Sequence, residues 1–339
     1  MAVVSISRIQ VRRGQKNVGS GLPQLASGEF GWAVDSQELF IGNGSVAEGS
    51  PFVGNTKLLS ETDNLFEFAN TYQYKTGTNL QTGSTPNNPV LRTLQQRLDD
   101  RISIRSFGAN GDGTDQTAAL QRAIDQLYLN ASNKGTTAAR VELILEAGEY
   151  TTASTIYLPP YATIRGAGPE KTIINSTAFP AFQTANETST PGVYAADSTS
   201  TTLNQARNIT ISDLTITTLS AATSLSLVSC KDSTFENLVL RGTFALGASA
   251  TPATAINMTS LSTAVSSNSN TFTNVKAEKF DTGVRSDNDI KDNRWTGCTF
   301  DTLRQGFAFG VDTILGTSGM LYGPLNNKIS NSIFSDIYL

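Results

Sequence analysis

The sequence predicts a mainly β protein whose larger part is a parallel β-solenoid, a stack of similar coils. Three observations support this prediction. Charged residues make up only 16% of the 339 residues, against roughly 25% in an average globular domain. Short β-branched runs recur along the chain, as expected of many strands joined by polar turns. A short apolar motif also recurs in the C-terminal half, and such internal repetition is typical of solenoids.

The composition excludes several kinds of chemistry. The chain has no histidine, which rules out Ser-His-Asp triads, Cys-His pairs and histidine-ligated metal sites. Its net charge of −4 argues against nucleic acid as a partner. Cys230 and Cys298 are too few for a disulfide framework or a zinc site, and we expect both to be buried. We predict neither a metal nor a cofactor, and acid–base chemistry would have to use Asp, Glu, Tyr or Lys.

The N-terminus and the hydropathy pattern bear on location. The first residues lack the charged start and the apolar run of a signal peptide. No apolar stretch approaches the ~20 residues that cross a bilayer. The sequence therefore predicts synthesis in a cytoplasm and no membrane insertion.

Residues 1–56 are predicted to form a compact β domain. Phe30, Trp32 and Val34 alternate with small residues, and a polar turn over 35–38 leads to a second apolar run. Period-two alternation closed by a short turn indicates a hairpin. A domain of this size with few large apolar side chains is marginal alone. We therefore expect it to need a partner surface.

Residues 57–102 are predicted to be a short helical connector. Pro89 stands at a favourable first-turn position, and Leu91, Leu94 and Leu98 follow at three- and four-residue steps. These leucines form one stripe. The stripe fits either packing on a core or self-association with copies of the same helix. One or two heptads do not specify an oligomer on their own.

Residues 103–339 contain the repeated motif and are predicted to be the solenoid. Its first large apolar position is occupied by Ile211, Phe235, Phe272, Trp295 and Ile329. Further apolar positions lie three and five residues on, so that stacked coils would bury a continuous core. A small residue between the two outer apolar positions suits a bend, since Asn and Gly tolerate left-handed backbone. These bend residues are Asp213, Asn237, Asn274, Gly297 and Asn331.

A distinctive segment stands at the entrance of the solenoid. Phe107-Gly108-Ala109 and Gly111-Asp112-Gly113-Thr114-Asp115 precede a helix predicted from Gln116 to about Asn130. The segment resembles the N-terminal cap of the pectate-lyase-like superfamily of right-handed β-helices, which includes pectate lyases, polygalacturonases, glucanases and bacteriophage tailspikes. The resemblance implies that the helix plugs the open solenoid end. The cap residues would be Phe107, Asp112, Asp115, Leu120 and Ile124.

The aspartates of this segment also fit a calcium site. A helix N-cap role for Thr114 or Asp115 already accounts for the motif. The cap is therefore predicted to be structural and free of metal.

Residues 6–44 carry a second resemblance. The segments that carry it are Arg8-Ile9-Gln10-Val11-Arg12-Arg13-Gly14, Leu25-Ala26-Ser27-Gly28-Glu29, Gly31-Trp32-Ala33-Val34-Asp35 and Leu39-Phe40-Ile41-Gly42-Asn43-Gly44. In this order they resemble the N-terminal module of many bacteriophage tail-fibre and receptor-binding proteins, which lies at the virion-proximal end. The resemblance implies a homotrimeric tail fibre or tailspike on the virion. It would dock on tail or baseplate proteins and reach a host surface glycan or another fibre protein with its other end.

This second resemblance assigns candidate residues. Virion attachment would involve Arg8, Arg12, Arg13, Trp32, Asp35 and Phe40. Trimerisation would involve Leu91, Leu94 and Leu98.

The alternative function is that of a polysaccharide depolymerase, a hydrolase or lyase acting on host capsule or lipopolysaccharide with paired carboxylates. The candidate carboxylates are Asp287, Asp289, Asp292 and Asp301, beside Asp281. They also fit a solvated loop between coils. Because histidine and the enzyme motifs of the family are missing, we predict no catalytic residue here. Trp295 falls on a core position rather than on a sugar-stacking surface.

Overall fold

The structure is a computed structural model. It describes residues 11–17, 22–49, 53–58, 101–129, 141–195, 199–219, 221–245, 253–262, 264–286, 290–309 and 325–337, together with the backbone of four short strands between 73 and 93. The chain divides into two compact units, Met1–Arg97 and Leu98–Leu339.

The first unit contains a four-stranded sheet. Its elements are β1 (Arg12–Gly14), β2 (Phe30–Ala33), β3 (Glu38–Gly42), a 3₁₀-helix (Val46–Glu48) and β4 (Asn55–Leu58). β1 is parallel to β2, whereas β2, β3 and β4 are antiparallel. The predicted hairpin is confirmed, with Trp32 opposite Leu39. The buried core of the unit consists of Leu25, Ala33 and Phe40.

The predicted helical connector is wrong where the structure describes this region. Its strands are β5 (Gln73–Tyr74), β6 (Gly83–Thr85), β7 (Asn88–Pro89) and β8 (Arg92–Thr93). β5 pairs with β8 and β6 with β7, both antiparallel, so Pro89 lies in a strand. An isolated short helix is marginal, and Thr, Asn and Gly between 76 and 88 weaken it further. Leu91, Leu94 and Leu98 lie outside the described residues, and their role in trimerisation stays a prediction.

The second unit consists of parallel sheets. In chain order its strands are β9 (Arg101–Ser103), β10 (Asp112–Asp115), β11 (Glu142–Leu145), β12 (Gly148–Thr152), β13 (Ile156–Leu158), β14 (Thr163–Gly166), β15 (Thr172–Ser176), β16 (Phe182–Thr184), β17 (Thr210–Thr218), β18 (Leu225–Val228), β19 (Thr234–Arg241), β20 (Thr254–Thr259), β21 (Ser267–Asn268), β22 (Thr271–Glu278), β23 (Thr282–Ser286), β24 (Ile290–Lys291), β25 (Arg294–Thr296), β26 (Thr299–Leu303), β27 (Gln305–Phe309), β28 (Lys328–Ser330) and β29 (Ile333–Ile337). One sheet has 13 strands, with the path β10-β12-β15-β17-β19-β22-β25-β28, and a second runs β13-β16-β18-β20-β23-β27. From β12 to β27 each coil adds a strand to both sheets, which is the predicted β-solenoid.

The predicted alignment of the coils is confirmed by the strand register. Ile211 pairs with Phe235, Phe235 with Phe272, Phe272 with Trp295, and Trp295 with Ile329. The Phe235 and Phe272 ring centroids are 5.0 Å apart, and those of Phe272 and Trp295 are 5.3 Å apart. Trp295 is fully buried. A continuous stack of aromatic side chains therefore runs through the core from coil to coil.

The bends between strands also follow the prediction. All five bend residues have φ between +50° and +65°: Asp213, Asn237, Asn274, Gly297 and Asn331. Asn237 Nδ2 donates to Asp213 Oδ1 at 2.6 Å, and Asn274 Nδ2 donates to Asn237 Oδ1 at 3.0 Å. Short amide and carboxylate side chains are suited to this role because they tolerate left-handed backbone and reach the next coil.

The capping helix matches its predicted extent closely, but its second part is a π-helix. Helix α1 spans Thr117–Ile124 and continues as a π-helix over Asp125–Leu129. Leu120 and Ile124 are buried in the solenoid core, and Phe107 packs against that core. The helix therefore covers the apolar interior of the first coils.

The aspartates of the cap are held by the loop itself. Gln116, rather than Thr114 or Asp115, occupies the helix N-cap. Asp115 Oδ1 accepts a hydrogen bond from the Thr117 N–H at 3.0 Å, and Asp112 Oδ1 accepts one from the Thr114 hydroxyl at 2.6 Å. These threonine hydrogen bonds lower the pKa of both aspartates. The two carboxylates thus serve the turn before the helix.

Candidate functional site

The candidate attachment site lies on the first unit, on the face of the sheet opposite its small core. Successive residues of a strand point to opposite faces. Gly31 faces the core, since a Cβ placed there would lie 2.8 Å from Leu25 Cδ1. Ala33 is on the same face and is fully buried. Phe30 and Trp32 consequently lie on the outer face, where Phe30 is 41% exposed.

Strand register extends this outer face across the sheet. Phe30 pairs with Ile41, Trp32 with Leu39, and Leu39 with Leu58. Paired residues share a face, so the five apolar side chains form a contiguous patch, here called the outer strip. Apart from the exposed Phe30, its members are half-buried. Over the described residues of this unit, the outer strip contains more large apolar side chains than the core, which has three buried residues.

Arg13 of β1 borders the outer strip, because it pairs with Trp32. Arg12 Nη1 is 3.5 Å from Glu29 Oε2. Together with Val11, these residues line a groove of about 450 Å³. Arg13 and Trp32, two of the predicted attachment residues, thus lie together on the outer face, whereas Arg12 pairs with Gly31 and lies on the opposite, core face.

The other predicted attachment residues have different positions. Phe40 is in the core with Leu25 and Ala33, because alternation along β3 turns it to the inner face. The Asp35 carboxylate accepts hydrogen bonds from the backbone N–H groups of Lys16 and Asn17, both at 2.8 Å. These bonds lower the pKa of Asp35. Both side chains therefore support the sheet.

The predicted set of attachment residues and the observed outer strip differ in their members. Arg8 lies outside the described residues. Phe30, Leu39, Ile41 and Leu58 were not among the predicted attachment residues, although they form most of the outer strip. The hairpin register, read through the polar turn, was the signal that places them on one face.

Glu38 provides a pH-dependent contribution to the first unit. Its carboxylate oxygens lie 2.7 Å from Lys16 Nζ and 2.8 Å from Lys57 Nζ. Burial opposes its ionisation, but hydrogen bonds from Lys16 and Lys57 outweigh burial and lower the pKa of Glu38 from 4.5 to about 2. A carboxyl whose pKa is lowered by folding stabilises the fold above its unfolded pKa, and this stabilisation is lost as the pH falls.

We therefore expect the first unit to lose stability as the pH falls from 4.5 to about 2. Glu38→Gln should lower the unfolding midpoint at neutral pH and flatten its dependence on pH in this window. The measurement is the unfolding midpoint of both proteins followed by Trp32 fluorescence across the window. An equally steep pH dependence in the variant would contradict the role of Glu38.

The acidic residues of the second unit have separate structural partners. Asp281 is buried, and its Oδ2 accepts a hydrogen bond from Arg304 Nη2 at 2.6 Å. Asp301 Oδ1 accepts one from the Ser335 hydroxyl at 2.9 Å. Each carboxylate thus links two parts of the solenoid wall. In these contacts they act as structural acceptors.

Asp292 is exposed at a bend with φ of +57°, while Asp287 and Asp289 lie outside the described residues. Replacing these three aspartates together by Asn is expected to leave any polysaccharide-cleaving activity of the protein unchanged. Each change should alter the free energy of unfolding by less than about 0.5 kcal/mol, as for solvated surface residues. Loss of such an activity in a triple variant that still folds would instead identify them as catalytic.

Three further properties of the described residues concern metal binding, the state of the cysteines and membrane-spanning helices. Among them, no cluster of three or more Cys, Asp or Glu side chains is arranged to hold a metal ion. Cys230 and Cys298 are free and buried, and burial raises the pKa of Cys230 to about 12. In this part of the chain, no helix has the length and apolar character needed to span a membrane.

Several solved structures are similar to this chain. ORF18 of Geobacillus virus E2 is 17% identical with a TM-score of 0.48, over 91% of this chain and 58% of that one. The N-terminal fragment of bacteriophage phi29 gene product 12 is 14% identical with a TM-score of 0.45, over 69% and 41%. Tailspike protein 3 of bacteriophage CBA120 is 15% identical with a TM-score of 0.42, over 89% and 57%. At these identities the likeness concerns the fold alone.

The chain thus spans about half the length of these three proteins. No curated protein matches it. The family described as rhamnogalacturonase A/epimerase, pectate lyase-like, matches residues 101–316, which is more than half of the chain and includes the cap and most coils. The resemblance predicted from the cap is confirmed, and the chain belongs to this pectate-lyase-like family.

Proposed function

We propose that this protein is a bacteriophage tail fibre or tailspike protein, anchored to the tail or baseplate by its first unit and used in host attachment. The order of its parts supports the proposal: a module resembling the virion-proximal end of phage fibres precedes a pectate-lyase-like β-helix. The observation that carries it is the outer strip, a contiguous apolar face on a sheet that has three buried apolar core residues in the described part of the unit.

The physical argument concerns how the first unit is stabilised. Among the residues that the structure describes, the core of this sheet has three buried apolar side chains, which contribute little stability for a sheet of this size. Exposed apolar patches bordered by polar residues mark protein interfaces, and arginine and aromatic residues are enriched at their centres. Trp32 with Arg13 beside it has this composition. The partner proposed for the outer strip is therefore a virion protein, with the chain assembled as a homotrimer.

The proposal favours an adhesive or structural fibre over a depolymerase. Asp281 and Asp301 already accept hydrogen bonds from Arg304 and Ser335, which gives them structural roles. The far end of the β-helix would contact a host glycan or another fibre protein. Incubation with host capsule or lipopolysaccharide, with assays for new reducing ends and unsaturated sugars, distinguishes the two functions.

The test of attachment uses phage particles assembled with variants of this protein. Deletion of residues 1–56, and separately Phe30→Ser with Trp32→Ser, should remove the protein from purified particles, as measured by mass spectrometry. Leu203→Ser is the matched control, because Leu203 is an exposed apolar residue of the second unit. Full incorporation of the truncated protein would refute the proposal. A stable monomer at micromolar concentration would refute the homotrimer.

A further inference from the structure

A groove of about 700 Å³ lies beside the solenoid cap, and none of its lining residues belongs to the acidic segment 281–301. One wall is formed by α1 and the π-helix and the other by the loop around residue 191. Most of the exposed lining is apolar, contributed by residues such as Ala118, Leu129 and Pro191, and its charged residues are Arg122 and Asp125. Ligand pockets of proteins have this size and combine apolar walls with polar groups that orient the ligand.

A hydrogen-bonded network among lining residues connects the two walls of the groove. The Tyr194 hydroxyl donates to Asp125 Oδ2 at 2.7 Å, and Gln121 Nε2 donates to Asp125 Oδ1 at 2.9 Å. The Tyr194 ring stacks on Tyr157 with centroids 4.3 Å apart. Asp125 is 8% exposed, and both its oxygens accept hydrogen bonds from the wall. These hydrogen bonds connect the loop around residue 191 to the helical wall in the absence of a ligand.

Arg122 is the exposed charge of the groove. Its Nη2 donates to the Phe107 carbonyl oxygen, which orients the guanidinium. Within the part of the chain that the structure describes, Arg122 makes no ion pair. A guanidinium has five N–H donors, so donors remain for a ligand. An oriented cation at the edge of an apolar groove favours an anion, because charge-assisted bonds to carboxylates are the strongest it makes.

We propose that this groove binds a small amphipathic carboxylate. Its apolar body would pack on Ala118, Leu129 and Pro191, and its carboxylate would accept hydrogen bonds from Arg122. A neutral, polyhydroxylated ligand fits less well, because apolar walls would leave most of its hydroxyls unpaired. This inference goes beyond the proposed function and does not depend on it.

The test uses 4-phenylbutyrate as the probe and the full chain as the protein. We expect saturable binding by ligand-observed NMR and calorimetry, and at least about tenfold weaker binding of the neutral amide, 4-phenylbutanamide. Arg122→Gln should weaken binding of the acid by a similar factor. Arg294→Gln is the matched control, since Arg294 is an exposed arginine of β25 far along the solenoid, and it should bind as the unchanged protein does.

A second variant tests the location. Ala118→Phe should fill the groove and abolish binding while the unfolding midpoint stays close to that of the unchanged protein. Absence of binding at about 10 mM probe would overturn the proposal. So would equal affinity for the amide, an unchanged affinity in Arg122→Gln, or tighter binding of glucuronate than of 4-phenylbutyrate. None of these results affects virion attachment, which is measured on particles.

Discussion

Trp295→Ala is expected to lower the free energy of unfolding of the second unit by about 3–5 kcal/mol, the usual cost of removing a large buried aromatic side chain. Trp295 is fully buried and lies in the aromatic stack, 5.3 Å from Phe272 and 5.4 Å from Phe307 between ring centroids. A parallel solenoid transmits such a loss, because each coil is stabilised by its neighbours. The cavity would therefore weaken the contacts of several coils at once.

The measurement is the denaturant dependence of unfolding followed by circular dichroism. Ile333→Ala is the control, since Ile333 is 61% exposed on β29, and it should change stability by less than about 0.5 kcal/mol. Trp295→Phe keeps an aromatic ring in the stack and should cost less than Trp295→Ala. Equal stability of the Trp295→Ala and Ile333→Ala variants would contradict the core position of Trp295.

Asn293→Leu is expected to be similarly damaging, although Leu is close to Asn in size. Asn293 Oδ1 accepts hydrogen bonds from the backbone N–H and the side-chain amide of Asn270, both at 3.0 Å. Its Nδ2 donates to Asn327 Oδ1 at 3.0 Å and to the Ser267 carbonyl at 3.2 Å. Asn270 and Asn293 are fully buried, so no solvent replaces the lost partners.

Each buried polar group that loses its partner costs about 1–3 kcal/mol, so we expect a total loss of about 2–5 kcal/mol for Asn293→Leu. Thr296→Val is the matched polar-to-apolar control in the same coil. Its hydroxyl is exposed and meets only the Ser330 hydroxyl, at 3.2 Å. The two variants are compared by their unfolding midpoints in urea. A midpoint for Asn293→Leu equal to that of Thr296→Val would show that the buried amide is dispensable.

The coil architecture was predictable because it depends on chemistry repeated at each coil. Apolar residues recur at equivalent positions, and the strand register places Phe235, Phe272 and Trp295 beside one another as the spacing predicts. The bends were predictable for the same reason, since Asn237 and Asn274 adopt left-handed backbone that few other residues tolerate. Family membership follows from the cap, whose residues act locally.

The connector and the functional surfaces were decided by tertiary structure. The leucine spacing suggests a helix around Pro89, yet β7 forms a local hairpin with β6. β8 pairs with the more distant β5, Arg92 opposite Tyr74, and no local pattern encodes that second pairing. The alternation of residues in β2 defines two faces of the strand but does not show which face is buried. Leu25 packs against Gly31, so the face that carries Gly31 is the buried one. Likewise, carboxylates that are close in sequence bind separate partners in the structure, as Asp281 does with Arg304.

By itself the sequence determined the repeating coil, the bends and the family, because these depend on local residue preferences that are repeated in many coils. Only the tertiary structure decided the outer strip and the groove beside the cap, because each joins residues from segments whose meeting depends on packing.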